Sequence, residues 1–200
     1  MQLDKGEKGF SFSKEGPLDM RMDPKASLDA KQVVNEWSEE ELGEIFREYG
    51  EEPRWRRAAR VIIEARRKKP IETTGQLSDL IATSLGKTGK KKLHPATLIF
   101  QALRICVNGE LEAIREALPK AISFLRPFGR MGVMSFHRLE DGIAKAILKQ
   151  AAQLPVKRMK EVGKKPLLRL LNKKPVRATF EEVRKNRRAR SALLRFAEKI

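Results

Sequence analysis

Apolar positions recur at helical spacing along most of the chain, and the places where that spacing stops mark its organisation. Ser38 and Glu41 have capping-box spacing ahead of Leu42, Ile45, Phe46 and Tyr49, with Gly50 as the stop, which predicts a helix. A second is predicted from about Pro53, with Trp55, Ala59 and Ile62 on one face, ending before Pro70. Thr73 and Gln76 repeat the capping-box spacing before QLSDLIATSL, and this block closes in the solvated turn Gly86 to Lys92. From His94-Pro95 a long pattern runs through Phe100, Leu103, Val107, Leu111, Ile114, Leu118, Ile122 and Leu125, with Gly109 as a point of interruption. Residues 1–26 are rich in glycine and charge and read as an ordered loop, where Gly6, Gly9 and Gly16 permit close backbone approach.

The pattern changes at RPFGRMGVMSF. A Pro/Gly turn leads into Met131 to Phe136, a short apolar run without polar alternation, as expected for a strand buried on both faces. Helical spacing resumes in HRLEDGIAKAILKQ, with Ile143 and Ile147 on one side. Turn, buried strand, loop and helix make half of a parallel α/β unit, which needs further parallel partners. Leu154 to Lys174 reads as a basic, proline-punctuated linker, and Ala192 to Ala197 as either helix or edge strand.

Charge adds a partner class. The 200 residues carry a net charge of +17. From Ala151 onward, 16 Lys and Arg stand against 4 Glu, a net of +12 in the last quarter. Such a field attracts polyanions, so RNA or DNA ranks ahead of a solvated basic tail and of an anionic membrane surface. No apolar run approaches a membrane span, and Asp4, Lys5, Glu7 and Lys8 are incompatible with an export signal, which predicts a cytoplasmic protein. Cys106 lies in an apolar-periodic stretch and reads as core. With one cysteine and two histidines, a zinc site of ordinary type is nearly excluded and no metal is expected.

Four blocks together resemble one family: Gln2 to Asp23 (QLDKGEKGFSFSKEGPLDMRMD), His94 to Leu111 (HPATLIFQALRICVNGEL), Gly129 to Asp141 (GRMGVMSFHRLED) and Arg188 to Lys199 (RARSALLRFAEK). A weaker match, Glu48 to Arg66, lies between the first two. Their order and spacing resemble the bacterial 16S rRNA (cytosine-N4)-methyltransferases, the RsmH/MraW family. The resemblance implies an α/β fold: an incomplete Rossmann-like class I methyltransferase core with a helical insertion domain, mostly helical in this chain. It divides the chain into a core active-site loop segment (1–26), a helical substrate-recognition insertion (27–92) and the C-terminal part of the core with its basic tail (93–200). It further implies S-adenosyl-L-methionine as cofactor, methylation of a cytidine N4 in the decoding region, and 16S rRNA in the small ribosomal subunit as partner, with a homodimer allowed. Met1 falls in the variable position of the family's SS-x-QLD motif, so the family's glycine-rich turn is absent here and the chain alone is expected to be inactive. A non-catalytic RNA-binding module is the alternative. Departures from the family pattern are Phe128 for glycine in PGGR, Leu98 for arginine, Arg138 for serine, Gly142 for a basic residue and Arg187 for proline.

The N4 amine of cytosine is a poor nucleophile because its lone pair is delocalised into the ring, so acceptors are needed to orient it and take its proton. Asp19 and Asp23 are the acidic candidates, with Arg21 between them able to clamp phosphate; a local ion-pair network fixing the loop is an equal reading. His137 follows the expected strand, where α/β folds place ligands, and it equally suits ordering its own turn through Glu140 or Asp141. Gln2 corresponds to a family glutamine that contacts the cofactor. Gln101, Arg104 and Asn108 form one polar helix stripe that could line the site or merely face water. Arg187, Arg188 and Arg190 read as phosphate contacts. Trp37 and Trp55 could stack bases, although the spacing of Trp55 favours core, and His94 reads as a helix starter.

Overall fold

The computed structural model describes residues 8–12, 14–86, 94–152 and 166–200. The chain forms two compact units, Met1–Glu110 and Leu111–Ile200.

In the first unit, helices α1 (Ala30–Glu36), α2 (Glu39–Glu48), α3 (Trp55–Arg66), α4 (Thr74–Leu85) and α5 (Thr97–Asn108) surround one core. The two expected capping boxes are formed, with the Ser38 and Thr73 side chains accepting from the Glu41 and Gln76 amides. A third starts α1, where Asp29 and Gln32 cap each other's backbone amides. Phe46, Ile62, Leu77, Ile81, Ile99 and Leu103 are fully enclosed. Removing a side chain such as Phe46 would cost about 3–5 kcal/mol through lost transfer energy and the cavity left behind. The opening loop joins the same core through Phe10, Leu18 and Met20. Gly9 sits at φ +66, and a Cβ there would lie 2.0 Å from the Pro17 carbonyl oxygen, so no other residue fits this crossing. A bridge between Pro17 and Thr73 and the bond from the Leu18 amide to the Glu72 carbonyl tie the loop to the start of α4.

The long apolar pattern after His94 is two helices, α5 and α6 (Glu110–Phe124), because Gly109 turns left-handed at φ +57 and closes α5. The remainder of the second unit holds strands β1 (Arg130–Ser135), β2 (Leu168–Leu170), β3 (Val176–Arg177) and β4 (Leu193–Lys199). Helices α7 (Arg138–Ala152) and α8 (Phe180–Lys185) and a 3-10 turn over Arg187–Ser191 complete it. The core here is Leu118, Ile122, Ala144, Leu148, Leu168 and Ala197.

β4 is the central strand, antiparallel to β1 on one side and to β2 and β3 on the other. Ala192 to Ala197 is therefore neither helix nor edge strand. β1 and β2 both oppose β4 and so run parallel to each other, joined by a crossover through α7. β1 is not buried on both faces: Met131 and Val133 pack into the core, whereas Arg130, Gly132 and Met134 point outward, Met134 being 55% exposed. The outward positions carry a glycine and a methionine, and so hide the alternation that polar residues would have shown. Of the expected basic linker, residues 153–165 lie outside the described residues and Leu168–Leu170 is β2.

The turn entering β1 explains one departure from the family pattern. Arg126 to Gly129 is closed by the Gly129 amide donating to the Arg126 carbonyl at 2.8 Å, with Pro127 second and Phe128 third. Phe128 takes φ +62 and is 79% exposed. A turn with proline second and positive φ third is the type II pattern, whose third position favours glycine.

Candidate functional site

The candidate residues fall into one cluster in each unit. In the first, Arg21 grips Asp19 with both arms of its guanidinium, Nε to Oδ1 at 2.8 Å and Nη2 to Oδ2 at 2.8 Å, while its Nη1 donates to the Ala26 carbonyl. The Arg21 amide adds a bond to Asp19 Oδ1 at 2.9 Å. The Arg21 guanidinium holds the Asp19 carboxyl below the ordinary carboxylate range, against the opposing effect of partial burial. Asp23 caps its own turn, its Oδ1 accepting from the Lys25 amide at 2.9 Å. It is exposed, and its Oδ2 has no partner among the described residues.

Asn108, at the end of α5, fixes this loop by its backbone. Its Nδ2 donates to the Met20 carbonyl at 2.8 Å and its Oδ1 accepts from the Met22 amide at 2.7 Å, so the two bonds bracket Arg21. Met20 needs that support, since it sits at φ +61 with its side chain fully buried. Gln101 and Arg104 do not join Asp19 and Arg21. Gln101 Nε2 donates to the Tyr49 carbonyl, and Arg104 forms a forked pair with Glu110 at 2.7 and 2.9 Å. The polar stripe is thus a set of ties within the first unit. Gln2 lies outside the described residues.

Trp55 packs edgewise against Gly43, where an added Cβ would meet its ring at 2.8 Å, and carries Arg56 over its face at 4.1 Å. Trp37 packs partly against the same core. His94 accepts from the Ala96 amide through Nδ1 and stacks on Phe12 at 4.6 Å, a helix-start role.

In the second unit His137 lies just past the end of β1. Its Nδ1 takes the Glu140 amide at the long distance of 3.5 Å, and its buried Nε2 lies 3.3 Å from Glu140 Oε1 without hydrogen-bond geometry. Glu140 Oε2 accepts from the Phe136 amide at 2.7 Å and from the His137 amide at 3.3 Å. Burial works against ionisation of Glu140, yet His137 and the two amides together hold its carboxyl below the ordinary range. Asp141 is held by a forked pair from Arg195 at 2.7 and 2.8 Å, with both side chains largely enclosed. The sequence reading missed this pair, although its members lie in two separate blocks of the resemblance.

The register aligns these features along the sheet. Ser135 of β1 and Arg177 of β3 both face Leu193, so the carboxyl ends of β1 and β3 lie at the start of β4, whereas β2 ends at Leu170, opposite Ala197 and level with Met131. His137 and both ends of the segment 178–192 emerge at the start of β4, within the longer excursion 171–192 that joins β2 to β4. The excursion carries Lys173, Lys174, Arg177, Arg184, Lys185, Arg187, Arg188 and Arg190, all exposed, against Glu181 and Glu182. Arg187, Arg188 and Arg190 stand in the 3-10 turn around the buried Ala189.

A sheet in which a reversed strand separates two parallel ones linked by a helical crossover, in a chain that also carries a helical unit, defines a mixed α/β protein of the class I methyltransferase type. The model of the MraW methylase family matches residues 1–200, and the chain belongs to that family. It is 49% identical to the ribosomal RNA small subunit methyltransferase H of Protochlamydia amoebophila, covering all of this chain and 65% of that protein. Proteins of the same name from Caldicellulosiruptor bescii (50% identical, 66% of its length) and Thermomicrobium roseum (47%, 62%) are also matched along the full chain. The chain thus spans somewhat less than two thirds of the length of these relatives.

Proposed function

We propose that the protein carrying this chain methylates small-subunit ribosomal RNA in the cytoplasm, transferring a methyl group from S-adenosylmethionine to the N4 amine of a cytidine in the decoding region. The family match supports this reading. The observation that carries it is the alignment of His137 and the basic segment 178–192 at the carboxyl ends of β1 and β3. Ligands of α/β folds bind at such ends, and a dense cationic segment there suits a polyanion.

The cofactor supplies an electrophilic methyl on sulfur. The described residues do not fit it by themselves: Glu140 Oε2 is occupied by backbone amides, Asp141 by Arg195, and Gln2 is not among them. The chemistry assigned to this chain is therefore on the RNA side. Asp23, whose Oδ2 has no partner among the described residues, is the group best arranged to accept from the exocyclic amine and draw out its lone pair. Asp19, held ionised by Arg21, fixes the loop that presents it. Arg21 commits three of its five guanidinium donors to Asp19 and Ala26 and so serves the loop first, while the exposed excursion arginines are the phosphate contacts.

The test is transfer of labelled methyl to 30S subunits by the complete protein. Asp23→Ala is expected to lower the rate far more than it weakens RNA binding, because an acceptor acts chiefly in the transition state. Equal rates for wild type and variant would return Asp23 to a purely structural role. RNA binding without any methyl transfer by the wild type would favour the non-catalytic module.

A further inference from the structure

A cleft of about 350 Å³ opens in the second unit on the α7 face of the sheet, away from the His137 turn. It is lined by Leu148 and Leu170, by Asn172 and Arg195, and by three lysines, Lys145 and Lys149 on α7 and Lys173 in the excursion. The lysines are exposed and Leu148 is enclosed, so the cleft has an apolar floor and a cationic rim. Its other polar side chains are already engaged. Arg195 is paired with Asp141, while Asn172 donates to the Lys174 and Leu194 carbonyls and accepts from the Phe196 amide.

The geometry points to this cleft as a seat for one nucleotide of the RNA that lies outside the reacting cytidine, its base on Leu148 and Leu170 and its phosphates on Lys145, Lys149 and Lys173. The size suits a small planar ligand. Among the described residues no carboxylate lines the cleft, which argues against a divalent cation, and the net charge of the chain favours an anion. Lys173 opens the basic excursion, so a strand lying along Lys173, Lys174 and Arg177 would reach the cleft. Because no unengaged polar side chain faces the base, the seat would hold any base, adding affinity without sequence preference.

This inference rests on the reading of RNA as the substrate. The experiment is a salt titration of a short single-stranded RNA against the complete protein, its K145Q/K149Q/K173Q variant, Leu170→Trp, and Lys120→Glu as a charge change elsewhere on the second unit. A nucleotide within a strand is flanked by two phosphates, so losing both contacts should flatten the slope of log affinity against log salt by roughly 1.4, at about 0.7 per phosphate on a single strand. Leu170→Trp fills the cleft and should weaken binding several-fold with little change in slope. Lys120→Glu should do neither. Cytidine monophosphate is expected to bind too weakly to saturate; if it occupies the cleft as well as the oligonucleotide does, the site is for a free nucleotide and the assignment is overturned. The assignment also fails if the lysine variant loses only binding to phosphatidylglycerol vesicles, or if both cleft variants bind RNA as the wild type does. In those last cases wild-type RNA binding would leave the proposed function standing, whereas a wild type that binds no RNA would sink both.

Discussion

Phe128 gives a test of whether the turn into β1 carries stored backbone strain. A left-handed conformation costs an L-residue with a Cβ roughly 1–2 kcal/mol, and Phe128 is at φ +62. Replacing it by glycine removes that cost. The opposing effect is the larger conformational entropy glycine loses on folding, roughly 0.5–1 kcal/mol. Little burial is forfeited, since the side chain is 79% exposed. Phe128→Gly should therefore stabilise the second unit by about 0.5–1 kcal/mol, or raise its Tm by roughly 2–8 °C for a unit of this size. The control is Phe128→Ala, which keeps the Cβ and should bring no gain. Thermal unfolding followed by circular dichroism measures both. A Tm that is unchanged or lowered in Phe128→Gly, or raised equally in Phe128→Ala, would refute the strain argument. The turn is anchored by the Phe128 amide on the Lys199 carbonyl, at the end of the sheet opposite His137, so RNA affinity should not change.

Three further outcomes are expected. Asp19 has a folded pKa below its unfolded value, so its contribution to stability is present above the unfolded value and is lost as pH falls through the folded one; Asp19→Asn should thus be less stable than wild type near neutrality, with the two denaturation curves converging in acid. Asn108→Ala leaves the Met20 carbonyl and Met22 amide without their partner, at a cost of about 1–3 kcal/mol if they stay unsatisfied, and hydrogen exchange should show the Met20–Met22 amides deprotected before the α2–α3 core. Replacing Arg187, Arg188 and Arg190 by alanine should flatten the salt dependence of binding equally for an rRNA hairpin and an unrelated strand, and coincident slopes for wild type and variant would remove these arginines from the phosphate path.

What could be read ahead of the structure was whatever is encoded by neighbours in the chain. Ser38 with Glu41 and Thr73 with Gln76 specify helix starts because cap and acceptor are three residues apart, and the same local logic at Asp29 and Gln32 was there to be seen. β4 was ambiguous because its identity depends on partners far away: Leu193 to Lys199 becomes a central strand only when β1 and β2, distant in sequence, take its two sides. The candidate site divides in the same way. Asp19, Arg21 and Asp23 were legible as a cluster of opposite charges, but whether each carboxylate is spent or available depends on which donors fold against it. Arg21 occupies both oxygens of Asp19, while the Lys25 amide occupies only one of Asp23. Asn108 looked like one member of a surface stripe, and only the packing of α5 against the opening loop makes it the clamp on both sides of Arg21. The pairing of Asp141 with Arg195 completes the contrast, because 54 residues separate the partners and no periodicity links them. Their burial together binds the first turn of α7 to β4, which holds the His137 turn at the end of the sheet where the cationic excursion returns to β4.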